Sequence, residues 1–256
     1  MILAPTLSLF SPGGRFLDSD ARAFAAASGA TDVAALSAFA KGIKALGLWN
    51  SMVCWPMRST QNAGTGTTVF SFGGLSGGNA TLVNGPTWGA NGIASIVAST
   101  HSITVAAWPI SQANTFAIGY VANTSAYNGN ADSMGGDGGV YNILGWGIGT
   151  QMLIIQNDGD TTGPATGETL NAWQSIFGSR ERNATGGRRA YRNGSLNASL
   201  NANNNSLTPP GNFWISKKRT ETRAFAFVLN TNLTDSLATE FNTIYKSTLG
   251  AGLGLP

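Results

Sequence analysis

This chain of 256 residues has one cysteine, one histidine and only 11% charged residues. A lone Cys54 leaves no partner for an intrachain disulfide, so the thiol content gives no argument for an oxidising compartment. Between Asp32 and Asp132 there is no Asp or Glu at all, and only Lys41, Lys44 and Arg58 are basic. So little charge protects poorly against self-association, which points to surfaces covered by copies of the chain or by partners. The alternative is a soluble coat of Ser, Thr and Asn. The opening stretch MILAPTLSLFSPGGRF has no basic flank, and its apolar run is too short for a signal peptide or a membrane span. Folding in a cytoplasm, without membrane insertion, is the expectation.

Catalytic constellations are scarce as well. The glutamates are Glu168, Glu181, Glu221 and Glu240, and none is followed two residues later by Asp, so the E-x-D-x-x-E strand of glucanases is missing. His101, in STHSITV, sits beside Ser and Thr at a strand start, where a turn residue is a simpler reading than a general base. Cys54 next to Trp55 reads as a small buried hydrophobe. No catalytic residue, cofactor or metal is assigned, and the chain is expected not to be an enzyme.

What is present is strand-and-turn chemistry. There are 34 glycines, and from Met52 onward Gly, Asn and Pro recur at the spacing of a sandwich or barrel. Candidate strands include TTVFSF, ATLVN, GIASIVA, SITVAAW, TFAIGYV, VYNILGW, QMLIIQ, WQSIFGS, NFWIS and RAFAFVL. Phe70, Phe72, Ile118, Ile154, Ile176, Phe225 and Phe227 are the expected core. The clearest hairpin is RAYRNGSLNAS: Asn193-Gly194 suits a type I′ turn, which needs positive φ at both central positions. Arg192 then faces Ser195 and Tyr191 faces Leu196.

Helices are confined to the ends. DSDARAFAAASG begins with cap candidates Asp18 and Asp20 and stops at Gly29, and a second helix capped by Thr31 spaces Val33, Leu36, Ala40 and Ile43 helically. Near the C-terminus, Thr234 caps a helix whose Leu237, Phe241, Ile244 and Tyr245 form one stripe, with Gly250 as the stop. Basic residues cluster between the two ends: Arg180, Arg182, Arg188, Arg189, Arg192, Lys217, Lys218, Arg219 and Arg223. They suggest a cationic sheet face, either simply solvated or turned toward phosphate, acidic polysaccharide or an acidic protein.

The hairpin RAYRNGSLNAS followed by FAFVLNTNLTDSLATEFNTIY resembles the closing half of concanavalin A-like, laminin-G-like jelly rolls. The stretch before it, with Gly47, Leu48, Trp49 and Pro56, is similar to a helical lead-in that precedes such jelly rolls in structural proteins of tailed bacteriophages. The resemblance implies a mainly β fold: a concanavalin A-like jelly-roll β-sandwich with a short N-terminal helical segment and one C-terminal helix. Residues 1–50 would be the lead-in or anchor and residues 51–256 the jelly roll. It implies a non-enzymatic virion protein of capsid-decoration or head-fibre type, assembled in the bacterial host cytoplasm and displaying a lectin-like domain. The partners would be copies of itself in a homo-oligomer, other virion proteins and host surface polysaccharide, with no specific nucleic acid. Weak glycan contacts would add through avidity. A tail-fibre receptor-binding adhesin and a polysaccharide-degrading glycosidase are the alternatives.

For glycan binding, aromatic faces with amide and carboxylate neighbours are the useful pieces. Tyr127, Asn128, Asp137, Tyr141 and Trp146, in and beside a Gly-rich loop, form the candidate group, and the competing reading buries Tyr141 and Trp146 in the core. Asp158 and Asp160 flank Gly159 and could offer carboxylates to Ca²⁺, as laminin-G-like loops do. The same pair makes an ordinary Asx turn, and no metal is expected there.

Overall fold

The long strand at the end of the chain, β16 (Arg219–Leu229), organises the molecule because nearly every side chain on it is buried. One antiparallel sheet runs, in hydrogen-bonded order, β14 (Ser195–Leu200), β13 (Arg188–Arg192), β12 (Trp173–Glu181), β7 (Thr115–Tyr127), β16, β5 (Gly92–Ser95) and β4 (Thr87–Gly89). β1 (Met52–Pro56) also joins this sheet, pairing with β16 from Leu229 back to Phe225. The second sheet runs β11 (Ala165–Gly167), β10 (Gln151–Ile154), β9 (Leu144–Trp146), β8 (Asp132–Asp137), β15 (Asn212–Lys217), β6 (Ser102–Val105), β3 (Ala80–Val83) and β2 (Thr68–Val69). The computed structural model describes residues 16–96, 100–110, 115–127, 132–137, 144–146, 151–154, 165–202, 212–217 and 219–256.

Three helices cover the outer face of the first sheet: α1 (Ser19–Ser28), α2 (Val33–Ala45) and α3 (Asp235–Ser247). Asp18 caps α1 by accepting from the Asp20 and Ala21 amides, and Gly29 ends it in the left-handed region. The cap of α2 is Asp32, which accepts from the Ala35 amide, rather than the expected Thr31. Thr31 is occupied otherwise, its N–H donating to the Thr60 carbonyl. Thr234 caps α3 as expected, accepting from the Leu237 amide.

The central strands of the first sheet are therefore buried on both sides. On β7, Phe116, Ile118, Tyr120 and Ala122 face the inter-sheet core with Trp55, Ile176, Phe213 and Val228, while Ala117 and Val121 face the helices. An aromatic cluster fills the helix layer, with Phe241 packing 5.5 Å from Phe177 and 4.6 Å from Phe227, and Tyr245 4.8 Å from Phe225. Gly119 belongs at the centre of that cluster: a Cβ there would lie 2.5 Å from Phe177 and 2.6 Å from Phe227.

Two antiparallel sheets packed face to face, with a helical segment at each end of the sequence, make the mainly β jelly-roll sandwich of the concanavalin A-like kind expected from the hairpin and helix pattern. Asn193 and Gly194 take φ of 52° and 80°, and Arg192 pairs with Ser195 and Tyr191 with Leu196. Phe72, Ile118, Ile176, Phe225 and Phe227 are buried as expected, and the side chain of Ile154 lies outside the described residues. Phe70 is only half-buried, because on β2 it is Val69 that points into the sandwich. The short strands β1, β4, β8 and β11 were not legible: each is flanked by Gly or Pro, or is too brief to show alternation.

Candidate functional site

The largest departure from expectation lies between the sheets. Arg219 and Arg223, read as part of a cationic outer face, are 1% and 0% exposed, and Arg180 and Arg188 are buried too. The alternation Arg219, Glu221, Arg223 puts all three on one face of β16, and that face is the inner one. A bulge between Arg223 and Phe225 then changes the parity, so Ala226 and Val228 point inward and Phe225 and Phe227 point toward the helices.

These charges satisfy one another. Arg219 donates to both carboxylate oxygens of Glu168, at 2.6 and 2.5 Å, and through Nε to Glu221 at 3.0 Å. Glu221 also accepts from Arg223 at 2.8 Å and from the Ser216 hydroxyl of the opposite sheet at 2.6 Å. Arg223 stacks 4.0 Å over the Tyr120 ring. Burial by itself would raise the Glu221 carboxyl, but Arg223 and Arg219, with the hydrogen bonds from Arg223 and Ser216, outweigh it and hold the pKa below its ordinary value. Burial would equally lower the Arg219 pKa, and Tyr120, Glu221 and Glu168 raise it instead. With every member sealed from solvent, this cluster clamps β7, β15, β16 and the segment after β11 together. It is a structural network, closed to ligands.

A reachable site lies where the lead-in helices meet the sheet. A hollow of about 640 Å³ is lined by Asp20, Lys44, Gly47, Trp49, Asn50, Gly73 and Gly74. A second hollow of about 390 Å³ shares Asp20 and Gly73 and continues along Ala23, Phe24, Ala27, Phe70, Ser71, Phe72 and Asn79. Local folding positions these groups. Trp49 is fixed in a short 3₁₀ turn, its ring edge-on to Phe72 at 5.0 Å, with Lys44 5.1 Å above it. Gly73 and Gly74 allow the chain to pass close to β1, since a Cβ on Gly73 would sit 2.3 Å from the Met52 carbonyl oxygen.

The electrostatics of this cleft are set by an ion triad in which negative charge is in excess. Lys44 Nζ lies 2.8 Å from both Asp18 and Asp20. Burial would raise the Asp18 carboxyl, but the Lys44 hydrogen bond and the Asp20 and Ala21 amides lower it overall. Two carboxylates thus face one ammonium. The indole N–H of Trp49 and the amide of Asn50 have no hydrogen-bond partner among the described residues, so both remain available. The half-buried Phe70 and the methyls of Ala23 and Ala27 supply an apolar wall beside them.

The residues singled out in the sequence lie elsewhere. Tyr127 ends β7 opposite Arg219, Asp137 ends β8 opposite Asn212, and Trp146 ends β9 opposite Met152. Along β15 this backbone pairing sets Tyr127 and Trp146 at one end of the sandwich and Asp137 at the other. Asn128, Tyr141, Asp158 and Asp160 lie outside the described residues. His101 accepts from the Ile96 amide, and Cys54 is buried, which pushes its thiol pKa up. Gly74-Leu75-Ser76-Gly77-Gly78 spells G-x-S-x-G, but it leads from β2 into strand β3 rather than into a helix, so it is no nucleophile elbow.

No protein-family model matches the chain, and no curated protein matches it in sequence. Its fold is similar to that of solved structures. A Trypanosoma rangeli sialidase in complex with sialic acid superposes with a TM-score of 0.57 at 11% identity, over 78% of this chain and 33% of that one. A mutant T. rangeli sialidase displaying trans-sialidase activity gives 0.55 at 11%, over 86% and 40%. The binding domain of botulinum neurotoxin DC in complex with SialylT gives 0.53 at 11%, over 74% and 50%. The chain thus spans between a third and a half of the length of these neighbours. They correct the expectation that the chain is not an enzyme: the same fold occurs within sialidases, which are enzymes, so missing glucanase motifs do not exclude catalysis.

Proposed function

We propose that this chain is a glycan-recognising jelly roll displayed on the surface of a tailed-phage particle, and that it holds a neutral saccharide in the cleft between α1, the Trp49 turn and the Gly73-Gly74 loop. The observation that carries the reading is the cleft's unspent polar groups, the Trp49 N–H and the Asn50 amide, set beside the apolar wall at Phe70. Sugars have this dual character, with hydroxyls that donate and accept and a C–H face that packs on apolar surface. Neighbours of the same fold are known in complex with sialic acid and SialylT, which supports carbohydrate as the ligand class.

Charge separates neutral from acidic sugars here. With Asp18 and Asp20 against Lys44, and no arginine among the described residues that line the cleft, a ligand carboxylate would meet net negative charge. The placement on a virion rests on the likeness of Gly47, Leu48, Trp49 and Pro56 to phage lead-in segments. Copies on a particle would multiply a weak affinity, and the chain's low charge suits contact with its own copies and with other virion proteins.

The test is a glycan array of matched neutral and sialylated oligosaccharides probed with the full chain, with cleavage of each bound glycan followed in parallel. Binding to neutral members, weakened at least about tenfold by both Asn50→Ala and Phe70→Ala, is the expected result. Preference for sialylated members, or binding unchanged in both variants, overturns the cleft reading. Antibody labelling of purified particles, viewed by electron microscopy, tests the virion placement, and unlabelled particles refute it.

A further inference from the structure

The hairpin turn at Asn193-Gly194 sits against α3, and the contact is incomplete in an informative way. Asn193 and Ser175 exchange two hydrogen bonds: Asn193 N–H to the Ser175 carbonyl at 2.9 Å, and Ser175 N–H to Asn193 Oδ1 at 3.0 Å. The Ser175 hydroxyl donates to Asn242 Oδ1 at 2.7 Å, and the Thr239 hydroxyl donates to the Gly194 carbonyl at 2.8 Å. Asn242 is thereby fixed by its oxygen and is 5% exposed, yet its Nδ2 has no partner among the described residues. Gly194 keeps the space beside it open, because a Cβ there would lie 2.8 Å from Asn242 Cβ and 3.1 Å from Nδ2.

That space is a hollow of about 450 Å³ lined by Asn193, Thr239, Asn242, Thr243, Lys246 and Ser247. We infer that it is a second saccharide pocket, separate from the cleft, which takes a neutral polyhydroxylated ligand between the hairpin turn and α3. The Thr243 and Ser247 hydroxyls give their protons to the helix carbonyls of Thr239 and Thr243, both at 2.9 Å, which leaves their oxygens as acceptors. Donors come from Asn242 Nδ2 and from Lys246, whose ammonium also reaches the Pro256 carbonyl. Acceptors and donors therefore line one hollow together, as a sugar's hydroxyls require.

Charged ligands fit less well. The hollow flanks the last turns of α3, where the negative partial charge of the helix carbonyls counters the pull of Lys246 on a carboxylate or phosphate. A cationic ligand would meet Lys246. The volume lies within the range of small-molecule sites. The pocket shares no described residue with the cleft and stands whether or not the cleft binds sugar.

Nuclear magnetic resonance of the full chain tests this, with the methyl glycosides of glucose, galactose, mannose and N-acetylglucosamine as probes and glucuronate and glucosamine as charged controls. At least one neutral glycoside is expected to shift the Asn242 side-chain amide signals and the backbone amides of Thr239 to Ser247, while the charged controls leave them in place. Asn242→Asp keeps the oxygen that Ser175 holds and replaces the free donor, and Thr243→Val removes an exposed acceptor. Both should abolish the shifts, and Asn50→Ala in the cleft should preserve them. No shift at Asn242 with any neutral glycoside, equal shifts with the charged controls, or shifts that persist in both pocket variants overturns the inference. Shifts lost with Asn50→Ala alone would assign the sugar to the cleft and overturn it as well.

Discussion

Replacing Glu221 by Gln removes the carboxylate that bonds both Arg219 and Arg223 while leaving the shape of the side chain almost unchanged. One amide oxygen can still accept from a guanidinium or from Ser216, but the new NH₂ faces donors. Glu168 is then left to neutralise Arg219. Removing one partner from a buried ion pair typically costs about 3–5 kcal/mol, because the remaining charge keeps its desolvation penalty without its attraction. For a chain of this size that corresponds to a fall in Tm of roughly 6–20 °C. The pH profile provides an independent readout. The folded-state pKa of Glu221 lies below its ordinary value of 4.5, so its stabilising contribution is fully present above about pH 4.5 and is lost as pH falls through the folded-state pKa. Thermal unfolding of both chains between pH 7 and pH 3 should show a lower Tm for Glu221→Gln at neutral pH and a shallower acid decline. A Tm within about 2 °C of the parent, which is under about 1 kcal/mol, together with an unaltered acid limb would refute the account of the cluster as a coupled clamp.

Gly119→Ala should destabilise the chain by about 1–3 kcal/mol through overpacking, since the new methyl meets Phe177 and Phe227 at the centre of the aromatic layer, and chemical denaturation would measure it. Asp18→Ala removes both the cap of α1 and the ion pair to Lys44, and should cost about 0.5–2 kcal/mol by the same measurement.

Sequence signals that are local proved legible, and those that depend on three-dimensional context did not. The Asn193-Gly194 turn, the Arg192–Ser195 register, the Gly29 stop and the Thr234 cap are set within a few residues by φ requirements and side-chain reach, and all are present. The RTETR segment shows the limit. Its alternation correctly places Arg219, Glu221 and Arg223 on one side of a strand, but periodicity has no sign, and arginines default to the solvent side. Only the partners, Glu168 from beyond β11 and Ser216 from the opposite sheet, turn that face inward. The cleft was illegible for a related reason. Asp20, Lys44, Trp49 and Gly73 come from separate segments, and none is unusual in its own neighbourhood.

The lead-in is the element whose role changes most between sequence and structure. The sequence pattern sets residues 1–50 apart as a lead-in or anchor and residues 51–256 as the jelly roll. In the structure Phe24, Leu36, Phe39, Ile43 and Trp49 are buried in one core with Val121, Phe177, Phe225, Phe227 and Phe241. Withdrawing five such side chains forfeits about 8–15 kcal/mol of burial at roughly 1.5–3 kcal/mol each, comparable to the whole stability of an ordinary domain. A chain of residues 51–256 should therefore be insoluble or persist as an expanded state that binds hydrophobic dye and lacks near-UV circular dichroism. Cooperative unfolding within about 2–4 °C of the full chain, the shift of a single kcal/mol, would refute this. The deletion also takes Asp20, Lys44, Trp49 and Asn50 with it, so a shortened chain that did fold should no longer bind in the cleft. The segment that resembles an attachment device is thus also one wall of the proposed binding site.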